Sequence, residues 1–172
     1  STISQNVSIA DTGNLDNSPG LINGNVENAG TLTSNANNIS GTVANNGTYN
    51  ITGGTIGSAI TGIGTTYITG DDVKNKSTIS QAVSVASGGN LDNTSGTITG
   101  NVEIANNGIL TSNFSNISGT VDNDGTFNVI GGTINKEITG AGTTNITGAD
   151  VKNTSTISQN VSIADTGNLD NS

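Results

Sequence analysis

Ile39-Ser40-Gly41-Thr42-Val43 decides how this chain is read. The stretch is uncharged, with an apolar residue at each end. Relatives of it run from Ile3 to Val7, Ile22 to Val26, Ile56 to Ile60, Ile79 to Val83, Ile98 to Val102, Ile117 to Val121, Ile134 to Ile138 and Ile157 to Val161. A short apolar strand that returns along a whole chain marks a repeat architecture.

The recurrence has two nested periods. Residues Ser1 to Ser18 return unchanged as Ser155 to Ser172, with a diverged copy from Ser77 to Thr94. Within each long repeat the closing Val or Ile recurs in four steps. They are Val7 to Val26 (19), Val43 (17), Ile60 (17) and Val83 (23), then Val102 (19), Val121 (19), Ile138 (17) and Val161 (23). Paired-helix repeats need about 34 residues or more, whereas steps of this size suit one turn of a β-solenoid.

Each turn holds three short segments. The opening motif leads into stretches such as Val43-Ala44-Asn45-Asn46-Gly47-Thr48-Tyr49 and Val121-Asp122-Asn123-Asp124-Gly125-Thr126-Phe127. A third follows, as in Tyr49-Asn50-Ile51-Thr52-Gly53-Gly54-Thr55-Ile56. Apolar residues alternate along these segments, the period of a half-buried strand. Asn-Gly, Gly-Gly, Asp-Gly and Thr-Gly pairs lie between them, where turns belong. No segment carries an i, i+3, i+4, i+7 apolar face, so no helix of consequence is expected.

Composition agrees. The 172 residues are 30% hydrophobic and 2% aromatic, too thin for an ordinary core. Only 10% are charged, and the apolar residues are periodic rather than diluted, which favours a stacked coil over a disordered chain. The expected fold is all-β, a right-handed parallel β-helix, one continuous solenoid over residues 1–172. It contains superrepeats at 1–76 and 77–154 and the start of a third at 155–172. Because the chain opens and stops in mid-pattern, it is read as a piece of a longer repeat protein. Ile above Ile and Val above Val should fill the interior, and Asn above Asn should form amide ladders at the turns. Eight turns from Val7 to Val161 would span roughly 38 Å.

The long steps owe their excess to Gly70-Asp71-Asp72-Val73-Lys74-Asn75-Lys76 and Gly148-Ala149-Asp150-Val151-Lys152-Asn153-Thr154, which hold three of the four Lys. They are expected to be loops on one face, four turns and roughly 19 Å apart. Asp71, Asp72, Lys74, Lys76, Asp150 and Lys152 are therefore the candidate contact residues. In the turns after these loops the middle position of the motif, Gly41 in the opening stretch, becomes Gln: Gln81 and Gln159, matched by Gln5.

Chemistry is otherwise sparse. With 13 acids, four Lys and no Arg, the net charge is -9, which disfavours nucleic acid as a partner. Cys and His are absent, so thiolate and Cys/His zinc sites do not arise. No run approaches the ~18 apolar residues of a membrane span, and no cofactor is expected. The acids do not cluster as a polysaccharide-active β-helix requires. Asp122-Asn123-Asp124-Gly125 opens like a calcium loop, yet its twelfth position is Thr133 rather than Glu; a turn is expected. Asp71-Asp72 has the same standing, because Ala149-Asp150 loses one carboxylate in the second copy. Tyr49 and Phe127 share a repeat position and should be core, whereas Phe114 is offset and should face outward. Thr steps such as Gly64-Thr65-Thr66 and Gly142-Thr143-Thr144 suggest rows of the kind that bind ice, but irregular ones.

Turns such as Ile117-Ser118-Gly119-Thr120-Val121-Asp122-Asn123-Asp124-Gly125-Thr126-Phe127 resemble the coils of autotransporter passengers and filamentous-haemagglutinin-like exoproteins. The resemblance covers the whole chain. It implies an extracellular, bacterial cell-surface fibre, often an adhesin, meeting a glycan or protein on a host or neighbouring cell. It supplies no binding residues. The leading expectation is a non-enzymatic adhesin stalk or passenger. A filament subunit or spacer that associates end to end or laterally comes second, an enzyme third and an ice binder fourth.

Overall fold

The structure, a computed structural model, describes residues 1–172. It is a parallel β-solenoid of about ten turns, a rod of roughly 45 Å at the usual strand spacing. Each turn crosses three faces through strands of two to five residues; a single nine-residue strand, Thr126–Ile134, bends across two faces. The first sheet includes Val7–Ile9, Val26–Asn28, Val43–Asn45, Ile60–Thr61, Thr78–Ile79 and Thr97–Ile98. The second runs from Asn14–Asp16 through Thr48–Ile51, Ala82–Val85 and Val121–Asn123 to Ile138–Thr139. In the third, Gly54–Ile56, Val73–Asn75, Asn90–Asn93, Ile109–Asn113, Thr126–Ile134, Thr143–Ile146 and Asn160–Ile163 follow one another. All pairings are parallel, so every inner strand bonds to the turn above and the turn below.

Alternation fixes which side chains fill the rod. Along Thr48–Ile51, Tyr49 and Ile51 point inward, while Thr48 and Asn50 are partly exposed. The buried hydrophobics form one cluster of 30 residues along the rod. Asn rungs run beside them: Asn28 Nδ2 donates to Asn45 Oδ1 at 2.7 Å, and Asn75 Nδ2 to Asn93 Oδ1 at 2.7 Å. The ladder gives the inward-facing amide nitrogens partners, without which each would carry a desolvation cost, though Asn28 Oδ1 has none.

The register corrects the expected superperiod. Through the second sheet the stacked column is Leu15, Leu32, Tyr49, Thr66, Val83, Val102, Val121, Ile138 and Ile157. Its steps are 17 or 19 residues, and no turn is 23 long. In the first sheet Ile60 pairs with Ile79, not with Val83. The five-residue motif therefore does not stack on itself across a superrepeat boundary. Val7 lies on the first sheet, its counterpart Val83 on the second and Val161 on the third. Each superrepeat advances four turns and one face. Backbone geometry demands a nearly constant perimeter per turn, and the extra residues become a further side of the coil.

Phe114 also departs from expectation, being fully buried rather than outward. Asn113 caps a single 3-10 turn, Phe114–Asn116, by accepting the Ser115 N–H. Leu110, Ser112 and Phe114 are buried at two-residue spacing, so the alternation of the preceding strand carries Phe114 inside as the turn begins. Its ring lies 6.0 Å from that of Phe127, tilted by 43°. Tyr49 and Phe127 are core, as their shared position implies, and burial pushes the Tyr49 hydroxyl pKa upward.

Candidate functional site

The two charged stretches are strands, not loops. Val73–Asn75 pairs with Gly54–Ile56 below and Asn90–Asn93 above, in the third sheet. Val151–Asn153 pairs with Gly132–Ile134 and Leu169–Asp170, one face further round. They do not share a face, and Val73 and Val151 are buried in the wall. The same alternation that hides each Val turns the neighbouring charges outward. Asp71, Asp72, Lys74, Lys76, Asp150 and Lys152 are all exposed. Asp72 and Lys74 pair at 3.5 Å, a surface contact worth little.

Each strand Lys stands in register with an Asp on the next turn: Lys74 with Asp92, and Lys152 with Asp170. Asp170 also accepts the Ser172 N–H at 3.0 Å, and Asp16 accepts that of Ser18 at 2.9 Å. Hydrogen bonds from Ser18 hold the Asp16 pKa below the ordinary aspartate range; Ser172 does the same for Asp170, with a smaller contribution from Lys152. A depressed carboxylate stabilises the fold above the ordinary pKa and loses that contribution as pH falls through the folded value. Carboxyl chemical shifts followed from pH 6 downward should thus give both residues midpoints below the ordinary ~3.9. A midpoint at or above it would remove the assigned cause.

No group of three or more His, Cys, Asp and Glu converges closely enough to hold a metal ion. Asp122 and Asn123 end the strand Val121–Asn123, and Asp124-Gly125 is the bend after it, where the Gly125 N–H donates to Asn123 Oδ1 at 3.1 Å. The Thr rows are short. Thr31, Thr48 and Thr65 align on the second sheet before Ala82 ends the row. No helix is long and apolar enough to cross a membrane.

Three features lie outside the candidate contact residues, the first at a Gln that the sequence marks. First, Gln81 is buried and donates through Nε2 to Thr66 Oγ1 at 2.6 Å. Its counterpart Gln159, half-buried, meets Thr144 at the equivalent register position one superrepeat on, with the opposite polarity. With its oxygen toward the Thr144 hydroxyl and Asn123 Nδ2 (3.1 Å), its nitrogen donates to the carbonyls of Asn123 (3.0 Å) and Thr139 (3.2 Å). Second, Ile63 stands almost wholly in solvent, 92% exposed, at the tip of a corner. Third, the outer face of the second sheet carries a shallow groove of about 460 Å³. Small Ala82 and Ser84 form its floor, with Tyr67 at one end and Glu103, Asp122 and Thr139 toward the other.

Fold and surface together define a repeat protein of the parallel β-solenoid class. Comparison with protein-family models, with curated proteins and with solved structures found no match to the chain.

Proposed function

We propose that this chain is a segment of an extracellular or bacterial-surface fibre that acts by presentation rather than catalysis, attaching to a glycan or protein on another surface. One observation carries the reading. Successive superrepeats are turned by one face, so equivalent outward residues recur on a new side. Thr48 and Asn50 stand on the second sheet, and their counterparts Thr126 and Asn128 stand on the third. A stiff rod that repeats its surface on several sides can engage a partner from several directions, and multivalent contact raises avidity without new chemistry. The resemblance to adhesin coils points the same way.

Beads coated with the 172-residue chain should adhere to cells or glycan-coated surfaces more than beads coated with an unrelated acidic protein. Absence of adhesion across such surfaces would overturn attachment. A variant with Asp71, Asp72, Lys74, Lys76, Asp150 and Lys152 all changed to Ser should lose most adhesion if the two charged strands carry it. Unchanged adhesion would free those six residues of the role. The second reading, a filament subunit or spacer, draws on the unbroken ladders of the rod; ordered fibres in electron micrographs together with inert beads would favour it.

A further inference from the structure

We propose that the groove on the second sheet binds a linear amino-sugar glycan lying along the rod axis. The inference rests on the attachment reading and names the chemistry of one partner. Tyr67, Ser84, Glu103, Asp122 and Thr139 stand in register on five successive strands, a track of roughly 19 Å. Tyr67 is 36% exposed and offers part of a ring at one end, beside the low floor of Ala82 and Ser84. An amphipathic ring of this kind packs on the apolar face of a sugar.

The other groups select the polymer. Hydroxyls and carboxylates dominate the track, and both accept hydrogen bonds from sugar hydroxyls and ammonium groups. Glu103 and Asp122 are direct neighbours on adjacent strands, and like charges so placed repel. Thr139 Oγ1 donates to Asp122 Oδ1 at 3.3 Å, while no lysine lies on any strand of this sheet to neutralise the pair. A polymer carrying ammonium groups complements that charge, whereas uronic or sulfated glycans and nucleic acids are repelled. Peptide capture by strand addition does not suit this face. Four of its five strands are interior members of an eight-stranded sheet, and the fifth, Ile138–Thr139, ends that sheet but bridges to Ile157 on its far side, leaving chiefly side chains to read a ligand.

The test is calorimetric titration of the 172-residue chain with glucosamine, N-acetylglucosamine and galacturonic acid oligomers. The glucosamine oligomer should bind, and binding should weaken with added salt. Tyr67→Ala, and separately Glu103→Gln with Asp122→Asn, should each weaken it about tenfold or more. These side chains point outward, so melting should be unchanged by the first variant and unchanged or higher for the second. No binding of the glucosamine oligomer, equal binding of the galacturonic acid oligomer, or binding indifferent to both variants would each overturn the proposal. Bead adhesion that survives Tyr67→Ala and the double variant would remove the groove while leaving attachment standing.

Discussion

Gly47→Ala should lower stability by about 3 kcal/mol, combining steric overpacking with lost ladder hydrogen bonds. At this corner adjacent turns approach closely. A Cβ on Gly47 would lie 2.1 Å from the Gly30 carbonyl oxygen and 2.5 Å from that of Ala29. Both atoms are backbone and cannot swing aside. The Gly30 oxygen is already engaged, accepting the Thr48 N–H at 2.8 Å, and Gly47 in turn accepts the Thr65 N–H at 3.0 Å. Relief therefore requires separating turns that the ladders hold together. Gly57→Ala is the matched control, since a Cβ there meets nothing within 4 Å. It should be neutral or slightly stabilising through reduced freedom of the unfolded chain. Urea denaturation of the pair reads the difference directly. Amide exchange should accelerate at Thr48 and Thr65 in the first variant alone. Equal stability of the two would show that the corner yields easily and that its glycines are there for another reason.

That corner illustrates what a sequence of this kind reveals. Repetition, alternation and Gly at fixed offsets name a parallel coil, because each is a local property. The Ile and Val columns and the Asn rungs follow from it. Register across the superrepeat is not local. Aligning the motif with itself produced a 23-residue step and two loops on one face. The structure instead keeps each turn at nearly constant length and uses Val73 and Val151 as wall residues. The cue was present: Val73 and Asn75 alternate with Lys74 and Lys76 as strand residues should, but the charges read as a loop. Phe114 is a simpler case: two-residue alternation through Leu110 and Ser112 already points it inward, and only its offset from the position shared by Tyr49 and Phe127 suggests otherwise.

The groove was hidden for a third reason. Tyr67 and Glu103 are 36 residues apart in sequence and become neighbours two strands apart only in the true register. Aligned by motif, Ser84 would face another strand and the track would not assemble. Architecture was therefore readable from composition and period. A surface site on a solenoid becomes visible only after the turn count is right, because its members are far apart in sequence.

The buried Gln81, which opens the second superrepeat, supplies the last expected result. Gln81→Ala should cost about 2–3 kcal/mol, leaving a cavity and stranding the Thr66 hydroxyl in an apolar interior. Thr66→Val alone should cost a similar amount, because it leaves the buried Gln81 amide without its partner; Gln81 Oε1 already lacks one. Gln81→Leu combined with Thr66→Val removes both polar groups and should come within about 1 kcal/mol of the parent, or exceed it. The geometry explains why a polar pair sits here. In the second-sheet column Thr66 follows Leu32 and Tyr49, a small side chain above two large ones, and the Gln81 side chain reaches into the space that this leaves. The same exchange recurs at Thr144, which follows Leu110 and Phe127 in the third sheet. Both pairs sit where the motif passes from one face to the next, so they mark a register that apolar stacking alone would not distinguish. If the apolar double variant keeps its stability but loses exchange protection along Ala82–Val85, the pair serves register. If stability and protection both persist, Gln81 and Thr66 are packing alone, and the turn of one face per superrepeat is set by perimeter.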